Sequence, residues 1–186
     1  HLTPFFLRNP DMPVTPAEFR RALGSLASGV TVLTLRRADG NFDGITVTAF
    51  CSLSLEPPLV LVCIARRARL HDEFVRERSF AVNLLAAGQE SLSRRFAARQ
   101  TAPLADLEFV RSPLGLPLLS GTVAAVECRV VDLLPGGDHT IVVGAVEHAE
   151  YSPGSPDDPT GGATPTSEGQ PTAPTRPAAS EVERQP

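Results

Sequence analysis

The sequence predicts a mainly β protein, an antiparallel barrel of the Greek-key or meander type with a few helices. The chain has 186 residues, of which 42% are hydrophobic, so one domain with a sizeable core is expected. Short apolar runs recur at strand spacing and are separated by hairpin-type turn signals. The regular alternation of strands and helices that is typical of a parallel sheet is absent from the pattern.

The first predicted element is a short helix. The segment "TPAE" at 15–18 forms a capping box, with a threonine at the N-cap, a proline at the first helical position and a glutamate two residues later. We expect Gly29 to end this helix. Apolar residues recur at helical spacing along it: Phe19, Ala22, Leu23 and Leu26.

The pattern then changes to the alternation of strands. A β-branched run at 30–35 leads into Asp39-Gly40, which is a hairpin signal. The segment at 43–55 is predicted as the next strand. The continuous apolar run at 59–64 predicts a strand buried on both faces.

The second half of the domain contains two more helices and three more strands. A short helix is predicted at 68–78 and a polar-faced helix at 88–99, with a strand between them at 79–85. A loop follows, and two long strands at 122–134 and 139–149 complete the domain.

Composition divides the chain into three parts. Residues 1–11 are interpreted as an N-terminal extension or an expression remnant, and residues 12–152 as the folded domain. Residues 153–186 are rich in Pro, Gly, Ser and Thr. They contain too few apolar side chains to offset their ordering entropy, so a disordered tail is predicted.

Charge and cysteine usage exclude several functions. The net charge of −4 gives no reason to expect a nucleic-acid partner. Cys51, Cys63 and Cys128 lie in apolar stretches without metal-ligand spacing, so buried free thiols are expected and no metal site. No apolar run is long enough to span a membrane and no secretory signal is found. A cytoplasmic location is therefore predicted.

Three stretches carry groups that are able to bind a ligand. In the first, at 44–54, the hydroxyl side chains alternate so that they lie on one face of the predicted strand. In the second, guanidinium groups cluster at Arg66, Arg67 and Arg69, and in the third His139 follows a Gly-Gly-Asp turn. Each stretch taken alone is more typical of a solvated surface or a turn residue than of a site. No phosphate-binding loop, dinucleotide fingerprint or nucleophile elbow occurs.

Four separated blocks are more specific in combination: "FRRALGSLASGVTVLT", "GITVTAFCSLSLEPPLVLVCI", "FAVNLLAAGQESLSRRFA" and "GDHTIVVGAVE". In this order they resemble the short flavin reductases, the reductase halves of two-component flavin-dependent monooxygenases, over residues 16–150. The resemblance implies an FMN-binding split barrel that forms a homodimer and holds FMN or FAD near the subunit interface. It implies reduction of the flavin by NADH or NADPH, and release of reduced flavin to a separate oxygenase.

The resemblance also implies the site residues. His139 would lie beside the nicotinamide as the catalytic residue. The neighbouring Asp138 or the turn itself is able to hold its ring. Thr48 stands where many relatives have Asn or Ser, and Ala68 where they have Ser, so the preference between FMN and FAD stays open. The implied flavin-binding residues run from the ring to the phosphate: Thr46, Val47, Thr48, Ala49, Phe50, Ser52, Leu53, Arg67, Ala68, Arg69 and Phe96.

Hydride transfer between two cofactors needs a protein that stacks and orients rings, which agrees with the absence of an obvious acid–base pair. Two alternatives remain open on the sequence. One is a flavoredoxin-like electron carrier with tightly held FMN. The other is a non-enzymatic split-barrel flavin-binding module whose Pro-rich tail recruits a partner.

Overall fold

The computed structural model describes residues 14–98 and 104–152, and the described residues are mainly β-strand. Its elements follow in chain order: α1 (Pro16–Leu23), β1 (Thr31–Arg36), β2 (Phe42–Val47), β3 (Phe50–Ser54), β4 (Leu59–Ala65), α2 (His71–Arg76), β5 (Ser79–Leu84), α3 (Glu90–Ala97), β6 (Phe109–Arg111), β7 (Pro117–Leu119), β8 (Ala124–Gly136) and β9 (His139–Tyr151).

Seven strands form one antiparallel sheet in the order β2-β1-β5-β8-β9-β4-β3, and β6 and β7 form a separate hairpin. The predicted mainly β, antiparallel fold is confirmed. The sheet curls but does not close, because β2 and β3 remain its two ends and are joined only through Thr48 and Ala49. The barrel is therefore split along a seam between β2 and the β3–β4 pair.

The core lies inside the curled sheet. Its main cluster includes Leu33, Val62, Phe80 and Val82, all with no exposed surface. A second cluster lies under α3, where Phe96 packs with Val32, Leu104 and Leu119. This second cluster fixes α3 against the β1–β2 end of the sheet.

The capping box of α1 is confirmed. The Glu18 N–H donates to Thr15 Oγ1 at 3.3 Å, and the Thr15 N–H donates to Glu18 Oε2 at 2.8 Å. The expectation that Gly29 ends the helix is wrong, because α1 ends at Leu23 and Gly24 caps it by donating to the Arg20 carbonyl at 2.8 Å. Glycine has a low helix propensity, and the earlier of the two glycines ends the helix.

Two strand expectations are also corrected. The segment 43–55 is divided into β2 and β3 by a turn in which the Phe50 N–H donates to the Thr48 carbonyl at 3.0 Å. In the single chain β4 is fully buried on one face only: Val60, Val62 and Ile64 are buried, whereas Leu59, Leu61 and Cys63 are half-buried.

The strands β6 and β7 lie in a segment that was predicted as loop. Each has three residues, which is too short for an alternation of polar and apolar residues to be recognised. The buried Glu127 holds the turn between them, since it accepts hydrogen bonds from the Ser112 hydroxyl and the Leu114 N–H.

All three cysteines are free, as predicted. Cys128 is buried, and this burial, with the nearby Glu127 charge, raises the pKa of its thiol to about 12. Cys63 is half-buried, but Cys51 is exposed on β3, so the expectation that all three are buried is wrong. Cys51 is exposed because β3 is an edge strand and one of its faces is not covered by other described elements.

Among the described helices, none has the length and apolar character needed to cross a membrane. The predicted extension at 1–11 and the predicted disordered tail at 153–186 lie outside the described residues.

Candidate active site

A groove with two connected lobes lies at the seam, between β2 and the segment that joins β4 to α2. The narrow lobe has a volume of about 210 Å³ and the wide lobe about 710 Å³. The lobes share four lining residues, namely Ile45, Thr46, Ala65 and Ala68. The narrow lobe adds Val47, Thr48, Ala49, Cys63, Ile64 and His139, and the wide lobe adds Arg67, Arg69, Phe96, Ala97 and Ala98.

The end of β2 forms one wall of the groove. Its position is set by α3, because the Thr46 hydroxyl donates to the Ser93 carbonyl at 2.6 Å. Gly44 allows α3 to approach β2 this closely, since a Cβ at this position would lie 3.0 Å from Phe96 Cε1. Phe96 is 1% exposed and lies at the base of the wide lobe.

The loop after β4 forms the opposite wall. The Arg66 N–H donates to the Asp138 carbonyl at 2.9 Å, which ties this loop to the β8–β9 turn. The side chains of Arg66 and Arg67 are exposed, whereas Arg69 is directed inward to Asp43. Of the two arginines that line the groove, Arg67 is thus the one exposed to solvent.

His139 stands at the mouth of the narrow lobe as the first residue of β9, paired with Ala65 of β4. Its Nδ1 lies 2.7 Å from Asp138 Oδ1. This hydrogen bond, followed by the charge interaction with the same imidazole, lowers the pKa of the Asp138 carboxyl. The carboxylate holds the ring by Nδ1, and the side chain is 41% exposed toward the groove mouth.

The structure brings most of the predicted site residues together in this groove: Thr46, Val47, Thr48, Ala49, Arg67, Ala68, Arg69, Phe96 and His139. It does not bring Phe50, Ser52 and Leu53 to the groove lining. Phe50 packs against the main core, and Ser52 and Leu53 are exposed on β3. In the single chain, the groove is therefore built by β2, the end of β4 with the loop after it, α3 and His139.

Sequence reasoning missed several groove residues. Four of them are small or apolar and resemble ordinary strand residues: Ile45, Cys63, Ile64 and Ala65. Ile45 was the one that strand alternation could have indicated, because it lies on the same face of β2 as the predicted Val47. It also missed Asp43, which lies behind the groove with no exposed surface. An Asp-Gly pair is a common turn signal, so the sequence did not distinguish a buried carboxylate at this position.

The chemistry of the lining favours a ligand with an apolar body and an anionic end. None of the described residues that line either lobe is acidic, and both lobes combine small or apolar side chains with a few polar groups. Across residues 14–98 and 104–152 no group of three metal-ligating side chains is found. The groove can hold an apolar group with an anionic end near Arg67.

The family profile of the flavin reductase like domain matches residues 23–163. This is more than half of the chain, so the chain belongs to the flavin reductase-like family.

Individual relatives agree with this assignment. The chain is 40% identical over 148 residues to an NADH-dependent flavin reductase of Rhodococcus sp, covering 78% of this chain and 83% of the relative. It is 44% identical over 138 residues to the reductase component of 4-hydroxyphenylacetate 3-monooxygenase from Thermus thermophilus, covering 74% and 87% respectively.

Among solved structures, the NADH:FAD oxidoreductase of Streptomyces globisporus in complex with NAD and FAD fragments is similar. Its TM-score is 0.70 at 37% identity, covering 80% of this chain and 87% of that chain. The resemblance and the split-barrel fold predicted from the sequence are confirmed.

Proposed function

We propose that the chain is an NAD(P)H:flavin oxidoreductase that transfers hydride from NADH or NADPH to FMN or FAD. The observation that carries this proposal is the convergence of Thr46–Ala49, Arg67–Arg69 and His139 on one groove without an acidic side chain in its described lining. The relatives at 40% and 44% identity, named as flavin reductase and monooxygenase reductase component, support it.

The groove fits a flavin by the chemistry of its donors. The end of β2 and the Thr48–Ala49 link supply a wall of small residues for a planar ring, with Phe96 at the base of the wide lobe. The Arg67–Arg69 segment supplies guanidinium charge for a phosphate. When bound, the nicotinamide would supply the hydride and the flavin ring would accept it, and the protein's task is to hold both rings in register and exclude water.

His139 is proposed to orient the nicotinamide. Because Asp138 engages Nδ1 at 2.7 Å, Nε2 is the ring nitrogen directed away from this contact. The Asp138 carboxylate accepts from Nδ1–H, so Nε2 of the neutral ring can accept from the carboxamide N–H of a nicotinamide, and Nε2–H of the imidazolium can donate to the carboxamide oxygen.

Arg67 is proposed as the direct phosphate ligand, with Ala68 and Arg69 shaping the same end of the groove. It is the solvent-exposed guanidinium of the lining. The roles of Thr46, Val47, Thr48 and Ala49 along the ring stay part of this proposal. For Ser52 and Leu53, which lie on the exposed face of β3, a contact with flavin would require a second subunit.

A separate flavin-dependent oxygenase is proposed as the acceptor of the reduced flavin. One relative is by its name the reductase component of a monooxygenase. The groove of this chain is open at the seam, which suits a flavin that binds, is reduced and leaves. A cytoplasmic location is also proposed, since the three free thiols suit a reducing compartment.

A homodimer is proposed from the apolar surface of α1. Phe19 and Leu23 lie four residues apart on α1 and are 59% and 51% exposed, Leu26 just beyond the helix is 69% exposed, and no residue of α1 is buried. An amphipathic helix without cover in the described chain needs a partner for its apolar stripe, and a second copy is the proposed one. Light scattering should give twice the chain mass, and Phe19→Ser with Leu23→Ser should shift it toward the monomer. A monomeric parent protein would contradict the proposal.

The test of function is NADH and NADPH oxidation measured with FMN, FAD and riboflavin in turn. We expect the rate to increase with added free flavin until it saturates. Oxidation that does not depend on added flavin, in a protein purified with bound FMN, would instead indicate an electron carrier. Failure to bind any flavin would contradict both.

A further inference from the structure

The fold contains a fully buried carboxylate directly behind the groove. Asp43 of β2 has no exposed surface, and a carboxylate in this environment requires charged or hydrogen-bonding partners. Its oxygens accept two hydrogen bonds from the Arg69 guanidinium, one of them at 3.2 Å, and one from the Gly44 N–H at 2.7 Å. Arg37 adds a second positive charge 3.6 Å from Oδ2.

The pair formed by Asp43 and Arg69 crosses the seam of the barrel. In the hydrogen-bond order of the sheet, β2 lies at one end and β4 near the other, and no strand pairing joins them in the described residues. Arg69 lies on the loop after β4, and besides Asp43 it donates to the Gly44 carbonyl at 2.9 Å. A side chain from one wall of the groove is thus bound to the carboxylate and the backbone of the other wall.

This contact lies immediately beside the residues that line the groove. Thr46 is on the same strand as Asp43, and Ala68 directly precedes Arg69. Thr46 and Ala68 each line both lobes of the groove. The separation of these two walls sets the space for a ring. Three of the five guanidinium N–H groups of Arg69 are given to Asp43 and Gly44 and its side chain is 19% exposed, whereas Arg67 remains exposed.

We propose that Asp43 is a positioning residue that clamps Arg69 across the seam and thereby sets the width of the flavin groove. This inference rests on the proposed flavin site. The clamp acts on the ring-binding walls, so it governs riboflavin and FMN alike, and Arg67 discriminates between them by the phosphate.

The variants Asp43→Asn, Arg69→Met and the double variant test the clamp. Flavin affinity is measured by fluorescence titration with FMN and riboflavin, well below the melting temperature of each variant. We expect each single variant to raise the Kd of both flavins on the order of ten-fold, because the walls lose their spacing. The double variant should raise it no further, since both residues serve one contact.

Arg37→Gln is the matched control, because Arg37 contacts the same carboxylate but does not line the groove. It should lower the melting temperature while leaving the flavin Kd within about two-fold of the parent value, which separates a structural role from a positioning role.

Three results would overturn the clamp: an Asp43→Asn variant that is folded and binds flavin like the parent, single effects that multiply in the double variant, or an equal Kd increase in Arg37→Gln. If a single variant does not fold, the double variant decides. It removes the charges of both Asp43 and Arg69, and Arg37 keeps Asp39 as an ion-pair partner at 3.7 Å, so parent-like binding by the double variant rejects the clamp. Failure of the parent to bind flavin would instead reject the proposed function.

Discussion

The end of β2 and the edge strand β3 are joined by two residues, yet they differ in almost every physical property. In β2, Asp43, Gly44, Ile45 and Val47 are buried, and α3 covers the strand. In β3, the three central residues Cys51, Ser52 and Leu53 are exposed. Both strands carry hydroxyl side chains, so polarity alone does not make a site. A strand that carries hydroxyl groups becomes a binding wall where neighbouring elements enclose it, and stays an outer surface where they do not.

The largest effect that sharpens this comparison is expected at His139, which lies in the groove. His139→Ala should lower kcat/KM for NADH by about ten-fold or more, because both a hydrogen bond and the alignment of the two rings are lost. The flavin Kd should change much less, and Asn, which keeps a donor, should recover part of the loss. Stopped-flow flavin reduction beside a flavin titration measures both.

His148 is the matched control for this prediction. It lies on the same strand, is also paired with a carboxylate, with Nε2 2.9 Å from Glu150 Oε1, and does not line the groove. His148→Ala should reduce flavin at the parent rate. A folded His139→Ala protein that binds flavin and accepts hydride at the parent rate would mean that His139 is only a turn residue.

The next effect concerns the two exposed arginines of the β4–α2 loop. Arg67→Ala should weaken FMN by about ten-fold and riboflavin much less, because only FMN has a phosphate for the charge-assisted contact. Arg66→Ala should leave both ligands nearly unchanged, since Arg66 is not in the groove lining. The difference should shrink as salt is added. An equal increase in the Kd of FMN and of riboflavin would show that Arg67 does not contact the phosphate.

A smaller effect compares a hydroxyl at the groove with one on the edge strand. Thr48→Val should raise the flavin Kd by about two- to ten-fold, the value of one neutral hydrogen bond. Ser52→Ala should leave the flavin Kd unchanged, because Ser52 lies outside the lining of the groove formed by one chain. If Ser52→Ala weakens flavin as much as Thr48→Val, the β3 edge belongs to the site, and a second subunit brings it there.

The smallest effect is a pH dependence at Asp138. The hydrogen bond to His139 lowers the pKa of this carboxyl in the folded protein, so its contribution to stability is present above the unfolded pKa of about 3.9 and is lost as the pH falls through the folded pKa. Melting curves of the parent and of Asp138→Asn should therefore differ slightly near neutral pH and converge in strong acid. A difference that grows with acidity would contradict this assignment.

Local patterns in the sequence were enough for most of the elements. The capping box at Thr15 and the turn at Asp39-Gly40 depend on residues a few positions apart, and both form as predicted. The long β8 and β9 strands were also predicted, because alternation over many residues averages out single exceptions. The resemblance of four separated blocks located the groove residues on β2, on the β4–α2 loop and at His139.

Tertiary structure alone decided which of these residues share a surface. Ser52 was separated from the groove by a turn that a continuous hydroxyl pattern does not indicate. Asp43 and Arg69 are 26 residues apart, and nothing near either residue in the chain indicates that one is buried and that the other is directed inward to meet it. Their pairing depends on how far the sheet curls before its two ends approach. That distance is a property of the whole core, since every strand between β2 and β4 contributes to it.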